Sequence, residues 1–283
     1  MTRHATCLSV LGLAAIANGC TSPSTAQTRY VDAFEEAGRN GTTFIPATKA
    51  VHGLDLSGAY SIQHQIVTRQ IKAGDTVAGY KSSLMSAKSL ADRKAGEPLV
   101  GVLFKSGAAI SGNRLQTCGY RRPVLEMKLG FTFSQAVQRT VPSVAALKSM
   151  VRTVVPVVEL PDIAYADDKT YSALDMVAAN ISSAGFVQGQ PHSPSAMDLD
   201  SVAVTIARDG AVLTRGRGSE SLDGQWPSLL LTVNLLIKNG YSIEQGQFVL
   251  TGKIGDKLDV RPGFYQADYG PLGIVDFNVD ACQ

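Results

Sequence analysis

The clearest pattern in the chain is an alternation of apolar and polar side chains over residues 122–133, which predicts a β-strand. One face is apolar and is expected to lie on a core; it consists of Leu125, Met127, Leu129, Phe131 and Phe133. The other face places an acid and a base about 6–7 Å apart by strand rise; it consists of Val124, Glu126, Lys128, Gly130 and Thr132. A second run rich in β-branched residues, 154–160, predicts a strand that ends near Glu159. Two acids on apolar strands are candidates to meet in one pocket.

The other segments change between helical and strand periodicity. Helices are predicted near residues 29–38, 57–73, 86–93, 143–151 and 227–240. Their ends are marked by Asp55 or Ser57 as a cap, Pro227 in a first turn, and Gly74 and Gly240 as stops. Strands are predicted at residues 76–81, 99–104, 108–110, 187, 202–207, 211–214, 247–252, 257–261, 263–267 and 273–279. Asp209-Gly210 predicts a hairpin turn, and residues 162–174 are polar and lid-like. This balance predicts an α+β fold.

The N-terminal segment differs from the rest of the chain. Residues 8–17 are apolar or small and follow Arg3 and His4, and they are too short to span a bilayer as a permanent helix. They match the apolar region of a secretory signal, so residues 1–19 are predicted to be a signal peptide. Residues 20–27 are predicted to form a polar linker, and residues 28–283 a single domain. The protein is therefore expected to be exported.

Two processing routes are open at the end of this signal. Ala17-Asn18-Gly19-Cys20 resembles the lipobox of bacterial lipoproteins, whose cysteine is lipidated after cleavage. Lipid on Cys20 would attach the protein to a membrane without a spanning helix. Ordinary cleavage after Gly19 or Ala26 is the alternative and would leave a periplasmic protein.

The cysteine count adds one structural expectation. Cys7 lies in the predicted signal and Cys20 is the predicted lipid carrier, which leaves Cys118 and Cys282. In an oxidising compartment these two residues would form one disulfide. Two unpaired thiols are the alternative.

Composition and motifs exclude several function classes. Hydrophobic residues make up 45% and charged residues 18% of 283 positions, which supports a sizeable core. The formal net charge of +2, without a block of basic residues, gives no support for nucleic-acid binding. The sequence contains no P-loop, Gly-x-Gly-x-x-Gly, His-Glu-x-x-His or Gly-x-Ser-x-Gly motif. Its histidines stand apart from one another, which is more typical of structural residues than of a catalytic or metal cluster.

Short motifs nevertheless follow a recognisable order between residues 33 and 279. They are Leu54-Asp55-Leu56, Ala59-Tyr60-Ser61-Ile62-Gln63, Ala73-Gly74-Asp75, Val77-Ala78-Gly79-Tyr80-Lys81, 98–104, the strand at Glu126, Val155-Pro156-Val157-Val158-Glu159, Ala179-Asn180-Ile181-Ser182-Ser183, 246–252 and Leu272-Gly273. In this order they resemble the 2-keto-4-pentenoate hydratase branch of the fumarylacetoacetate hydrolase superfamily, which also includes 4-oxalocrotonate decarboxylases. The resemblance implies a mixed β-roll with a few flanking helices.

The resemblance also implies a site. The family holds Mg²⁺ or Mn²⁺ with Glu-x-Glu on one strand and a third glutamate further along; Glu126 matches the first ligand and Glu159 the third. Such a metal would bind the carboxylate and 2-oxo group of the substrate and stabilise its enolate. Lys81 matches the lysine that moves protons. Ser182 and Asn180 match positions near the substrate oxygens, and Gln63 belongs to a motif at the edge of the pocket.

Lys128 is the departure from this pattern, because it stands where the family has its second glutamate. Two carboxylates and one ammonium carry −1, against −3 for three carboxylates. An ammonium group is no metal ligand and repels a cation by ~4 kcal/mol per unit-charge pair at ~4 Å and an effective dielectric of ~20. A bound Mg²⁺ or Mn²⁺ is therefore predicted to be weak or absent.

Three arrangements of Lys128 follow from the sequence. It would form an ion pair with Glu126 or Glu159 and hold a 2-oxo acid directly, as a catalytic residue beside Lys81. In the second arrangement the Lys128 side chain turns away, and Glu126, Glu159 and waters hold a weakly bound metal ion. In the third arrangement Glu126 and Lys128 are an ordinary solvated pair on a strand face.

The predicted function is a hydratase-like lyase that acts on a 2-oxo or 2-hydroxydienoate acid. A non-catalytic exported protein that binds a small 2-oxo carboxylate through Lys128 is one alternative. A decarboxylase or hydrolase of the same superfamily is another, because the far wall of the pocket sets the leaving group. The expected partner is a small 2-oxo acid, and a homo-oligomer is left open.

Overall fold

The computed structural model describes residues 23–167, 170–194 and 197–282. The predicted signal peptide and Cys20 lie outside the described residues. Within those three ranges, no helix combines the length and apolar character needed to cross a membrane.

Helices and strands alternate along the described chain. The helices are α1 (Thr25–Arg39), α2 (Ala47–Ala50), α3 (Leu56–Lys72), α4 (Ala87–Arg93), α5 (Val144–Met150), α6 (Ala173–Ala178) and α7 (Gln225–Lys238). The strands are β1 (Val77–Ser83), β2 (Leu99–Phe104), β3 (Ala108–Ile110), β4 (Arg114–Gln116), β5 (Val124–Phe133), β6 (Val151–Leu160), β7 (Gly185–Gln188), β8 (Ala203–Arg208), β9 (Ala211–Arg217), β10 (Phe248–Leu250), β11 (Ile254–Asp259), β12 (Gly263–Asp268) and β13 (Ile274–Asp280).

Two mixed sheets organise these elements and confirm the predicted α+β class. The larger sheet has the order β2-β1-β10-β5-β6-β7-β3, and β11 also pairs with β5. The smaller sheet has the order β4-β13-β12-β8-β9. The β8–β9 hairpin turns at Asp209 and Gly210, whose positive φ angles of 50° and 82° fit the predicted tight turn.

Strand β5 lies at the centre of the larger sheet and is buried on both faces. The side chains of its predicted core face are all buried, which confirms the alternation read from the sequence. On the second face, Gly130 leaves space for its neighbours, since a Cβ there would lie 3.0 Å from the Leu250 side chain. Antiparallel pairing with β6 sets Glu126 directly opposite Glu159. The register of one strand pair therefore brings the two predicted acids together.

Two expectations about the elements are corrected, and one strand was missed. The predicted linker 20–27 is too long, because α1 begins at Thr25, where Ser24 and Gln27 form a capping box. The polar segment 162–174 runs into a helix, α6, which Ser172 caps by accepting from the Asp175 amide. Strand β4 was not predicted, since its sequence Arg114-Leu115-Gln116 has a single apolar position and no β-branched or aromatic residue.

A disulfide joins Cys118 to Cys282, so the paired alternative for these cysteines is confirmed. It links the loop before β5 to the segment after β13, with a Cα–Cα distance of 5.3 Å. The larger sheet is thereby tied to the C-terminal end of the smaller one.

Candidate active site

Four charged side chains from three strands of the larger sheet converge at one point. Lys81 extends from β1, Glu126 and Lys128 from β5, and Glu159 from β6. Lys81, Lys128 and Glu159 are almost completely buried, with 1%, 1% and 0% of their surface exposed. Buried charges of this kind are tolerated only when they are paired, and the sheet order places each within reach of an opposite charge.

Lys128 lies between the two carboxylates. Its Nζ atom is 3.0 Å from Oε2 of Glu159 and 3.3 Å from Oε2 of Glu126. Nζ also donates a hydrogen bond of 3.0 Å to the main-chain oxygen of Ser82. The predicted ion-pair arrangement is therefore confirmed. The arrangement in which Lys128 turns away and the solvated surface pair are both wrong, because the neighbouring strands enclose this face of β5.

Lys81 completes the cluster from the other side of Glu159. Its Nζ donates to Oε1 of Glu159 and, at 2.9 Å, to the main-chain oxygen of Ile181. Glu159 thus has one lysine on each carboxylate oxygen. The three fully buried groups carry a net +1 if both lysines are protonated and no net charge if one is neutral.

The surroundings drive the two lysine pKa values apart. For Lys81, burial lowers the pKa, and the attraction of Glu159 does not offset this because Lys128 repels a second positive charge. For Lys128, burial also opposes the charged form, but the joint attraction of Glu159 and Glu126 exceeds it and raises the pKa. The surroundings therefore favour the charged form of Lys128, whereas Lys81 is the lysine suited to exchange a proton.

A left-handed turn positions the second acceptor of Lys81. Asn180, Ile181 and Ser182 have φ angles of 48°, 51° and 54°. Such angles cost of order 1–3 kcal/mol per residue and are especially unusual for a β-branched residue such as isoleucine. The strain is tolerated because the Asn180 side chain anchors the turn to β2, and the turn directs the Ile181 oxygen at Lys81.

Asn180 and Gln63 support the site instead of lining it. The side-chain amide of Asn180 is buried. Its oxygen accepts a hydrogen bond of 2.8 Å from the main-chain nitrogen of Val102, and its nitrogen donates one of 2.9 Å to the main-chain oxygen of Val102. Gln63, in α3, is fully buried and donates to the main-chain oxygens of Val100 and Val177. Its amide oxygen accepts from the Tyr241 hydroxyl at 2.6 Å. Among the predicted substrate-binding residues, Ser182 is the one that lines the pocket.

The cluster lies at the base of a pocket of about 360 Å³. Lys81, Lys128, Glu126 and Ser182 line it, together with serines of the β1–α4 region, which are Ser82, Ser83, Ser86 and Ser89. The outer wall carries three further cations, Arg93, Lys253 and Lys257. The lining therefore has a positive excess that suits an anionic ligand.

The outer cations were not found from the sequence. Arg93 ends a short helix, where a basic residue is expected for any helix, so its sequence position carries no functional signal. In the structure its guanidinium lies 3.9 Å above the Tyr171 ring and donates a hydrogen bond of 2.8 Å to the main-chain oxygen of Tyr171. These contacts hold Arg93 at the pocket wall.

The arrangement of these residues does not fit the divalent ion that the resemblance implies. Mg²⁺ requires oxygen ligands at about 2.0–2.1 Å in octahedral geometry. The Lys128 ammonium contacts both carboxylates that would supply those oxygens, at 3.0 and 3.3 Å. Across the described ranges, no group of three or more His, Cys, Asp or Glu side chains is placed to hold a metal.

No family model matches this chain. Comparison with known proteins nevertheless finds relatives whose sequences align with most of its length. The chain is 27% identical to the 4-oxalocrotonate decarboxylase of Pseudomonas sp. (strain CF600), over 74% of this chain and 80% of that protein. It is 29% identical to the 2-keto-4-pentenoate hydratase of Burkholderia vietnamiensis (strain G4 / LMG 22486), over 85% of this chain and 92% of that protein.

Solved structures define the fold. The 4-oxalocrotonate decarboxylase from Pseudomonas putida G7, complexed with magnesium and adipate, superposes with a TM-score of 0.85 at 24% identity, covering 90% of this chain and 97% of that one. The fumarylpyruvate hydrolase from Pseudomonas aeruginosa, in complex with Mn²⁺ and pyruvate, gives a TM-score of 0.53 at 11% identity, covering 72% and 88%.

The protein therefore has the fold of the fumarylacetoacetate hydrolase superfamily, as the order of its motifs predicted. Within that fold class its homologues are 2-keto-4-pentenoate hydratases and 4-oxalocrotonate decarboxylases. The structural neighbours hold divalent ions, and the Lys128 ammonium distinguishes the site of this chain from a carboxylate metal site.

Proposed function

We propose that the protein is a hydratase-like lyase that acts on 2-oxo acids and their 2-hydroxydienoate tautomers. The observation that carries the proposal is the pair of lysines at the base of the pocket. Burial lowers the pKa of Lys81, which favours proton exchange there, and the attraction of Glu159 and Glu126 raises the pKa of Lys128, which favours its charged form beside it. The names of the hydratase relatives support this substrate class.

Each residue has a role that its contacts permit. The Lys81 amine takes the proton of the 2-hydroxyl, which gives a dienolate, and the resulting ammonium returns that proton to C5, which gives the conjugated enone. The Lys128 ammonium attracts the substrate carboxylate and the negative charge that develops on the 2-oxo oxygen. Glu159 contacts both lysine side chains and holds them in place, and Ser182 offers a hydroxyl at the pocket wall. Water then adds to the conjugated double bond.

An absorbance assay tests this proposal. Purified protein is mixed with 2-hydroxypenta-2,4-dienoate in EDTA and, separately, with Mg²⁺ or Mn²⁺. We expect loss of the dienol absorbance with EDTA present, and a rate at least about a hundredfold lower for Lys81→Met, as is typical for removal of a general acid–base group. Absence of turnover in every condition would refute the lyase assignment and favour a carboxylate-binding protein without catalysis.

One observation favours a decarboxylase as the second candidate. The outer-wall cations Arg93, Lys253 and Lys257 offer a place for a second carboxylate, which 4-oxalocrotonate has and 2-keto-4-pentenoate lacks. Under this candidate, Arg93→Met lowers kcat/KM for the dicarboxylate while leaving that for the monocarboxylate nearly unchanged. Equal losses for both acids would remove the reason for preferring the dicarboxylate.

We also propose that the protein is exported, with Cys20 as a lipid carrier. The apolar segment at residues 8–17 supports export, and the Cys118–Cys282 disulfide supports an oxidising compartment. Mass spectrometry of the mature N-terminus from cell membranes tests lipidation. A chain that retains Met1 in the cytoplasmic fraction would contradict both proposals.

A further inference from the structure

We propose that Glu126 is the exchangeable counter-ion of Lys128, and that the carboxylate of a bound 2-oxo acid displaces it from the ammonium group. The inference rests on the proposed function, since it takes the pocket to bind 2-oxo acids. It assigns to Glu126 a role opposite to that of a metal ligand. In a metal site this carboxylate promotes ligand binding, whereas beside Lys128 it competes with the ligand.

The contacts of Lys128 favour a displacement. An ammonium group has three N–H donors, and three oxygens already surround it at 3.0 to 3.3 Å, from Ser82, Glu159 and Glu126. An incoming carboxylate reaches Nζ most readily if one of these oxygens withdraws. Which one withdraws is decided by how firmly each is held.

Glu126 is the most weakly held of the three. The Ser82 oxygen belongs to the main chain of β1 and is fixed by the sheet. Glu159 is completely buried and is held from its other oxygen by Lys81. Glu126 makes the longest contact, 3.3 Å, and its side chain is 18% exposed and lines the pocket. Rotation of this side chain therefore frees the ammonium without disturbing the buried pair.

A displaced Glu126 remains close to positive charge. Lys257 lines the same pocket, and although burial lowers the pKa of this lysine, the Glu126 carboxylate acts on it in the opposite direction. The carboxylate can thus turn from Lys128 towards Lys257. The net charge of the site then changes only by that of the incoming acid, and no covalent bond is made or broken.

Calorimetric titration with pyruvate in EDTA tests the exchange. We expect Glu126→Gln to bind pyruvate at least about fivefold more tightly than the parent, because loss of a partly buried competing charge is worth about 1 kcal/mol. Glu220→Gln removes the same charge from the same pocket lining, but its carboxylate accepts from the Arg217 and Gly255 amides. This control should change the affinity by less than about twofold.

A double-mutant cycle identifies Lys128 as the group that Glu126 occupies. In a Lys128→Met background, Glu126→Gln should have no effect on pyruvate affinity. Thermal melts confirm folding of each variant; if Lys128→Met does not fold, Glu126→Asp replaces it, since the shorter chain withdraws the carboxylate and should tighten binding by an intermediate factor.

The outcomes separate this inference from the proposed function. Unchanged or weaker pyruvate binding by Glu126→Gln overturns the exchange. So does an equal gain in pyruvate affinity when Glu126→Gln is made in the Lys128→Met background. A requirement of Mg²⁺ for pyruvate binding also overturns it. Turnover of the dienoate together with any of these results leaves the lyase proposal standing. If Glu126→Gln binds pyruvate more tightly but the parent protein does not turn over the dienoate, the exchange is supported and the lyase proposal is refuted.

Discussion

At the scale of the residue, Lys128 sets the charge of the candidate site. Lys128 is 1% exposed and contacts Glu126 and Glu159, so its charge belongs to the site and not to the surface. A buried charge that lost its partners would be strongly destabilising. The cluster is therefore a coupled unit in which changing one charge changes the other groups.

The first prediction concerns metal affinity. Lys128→Glu replaces the ammonium with a third carboxylate, so the variant should bind Mn²⁺ at least about a hundredfold more tightly than the parent, because cation repulsion is replaced by attraction. Calorimetric or electron paramagnetic titration measures both proteins, with Lys128→Gln as a control that removes repulsion without adding a ligand. Equally tight metal binding by parent and Lys128→Glu would contradict the charge argument.

The second prediction concerns the pKa of Lys81. Burial and the neighbouring ammonium of Lys128 lower this pKa below the ordinary lysine value of 10.5. In Lys128→Met the repulsion disappears and Glu159 pairs with Lys81 alone, so the pKa of Lys81 should rise. Carbon-13 NMR titration of the lysine side chains in the parent and the variant measures the shift. A pKa that stays constant or falls in the variant would contradict this assignment.

These shifts also fix the pH dependence of stability. Because the pKa of Lys81 is lowered, the unfolded chain binds more protons between the two values, so this group favours folding increasingly as the pH rises through that window. Lys128 acts in the opposite sense, since its raised pKa contributes stability below 10.5 that is lost as the pH rises through its folded value. Glu159, whose pKa is lowered, contributes stability that is lost in acid.

At the scale of the element, strand register and one strained turn build the site. The β5–β6 register sets Glu126 opposite Glu159, and a shift of one residue would send both side chains to the other face. The turn at residues 180–182 then supplies the Ile181 oxygen to Lys81. Asn180, predicted as a substrate-binding residue, acts by holding this turn.

The third prediction follows from that positioning role. Asn180→Ala removes two buried hydrogen bonds to Val102 and leaves the turn unanchored, so the free energy of unfolding should fall by about 1–3 kcal/mol. Turnover should fall with it, because the Ile181 oxygen no longer aligns Lys81. Urea unfolding and the dienoate assay measure these effects, with exposed Asn40→Ala as the matched control. A stable variant with impaired substrate binding alone would restore the substrate-contact role.

At the scale of the whole molecule, the disulfide connects parts that are distant in sequence. Cys118 and Cys282 are separated by 164 residues, and their bond ties the loop before β5 to the C-terminal segment. A cross-link that closes so long a loop restricts the unfolded chain strongly.

The fourth prediction is the contribution of this bond. Reduction, or the double substitution Cys118→Ala and Cys282→Ala, should lower the free energy of unfolding by about 2–5 kcal/mol. Urea unfolding with and without reductant measures the difference, and the double variant serves as the control because reductant should not affect it further. Identical unfolding curves for oxidised and reduced parent would show that the bond contributes nothing to stability.

The elements were predictable where their side-chain pattern was long. The ten-residue strand β5, helix α3 with its Asp55 cap, and the Asp209-Gly210 hairpin all follow from local periodicity and capping. The start of α1 was missed because a capping box can extend a helix into a polar segment. Strand β4 was missed because Arg114-Leu115-Gln116 has one apolar position and no β-branched or aromatic residue. The outer cation Arg93 was missed because its neighbours in space come from distant parts of the chain.

The sequence by itself determined the local side-chain patterns and the identities of the site residues. These are the strand alternation, the order of the motifs, and Lys128 at the position where a glutamate was expected. These features depend only on residue type and spacing, so they can be identified without knowing which residues are in contact. Only the tertiary structure decided that Lys128 is paired and not solvated, that Gln63 and Asn180 hold the scaffold, and that the two cysteines meet. Each of these depends on which strands are neighbours, and strand neighbours are set by the packing of the whole chain.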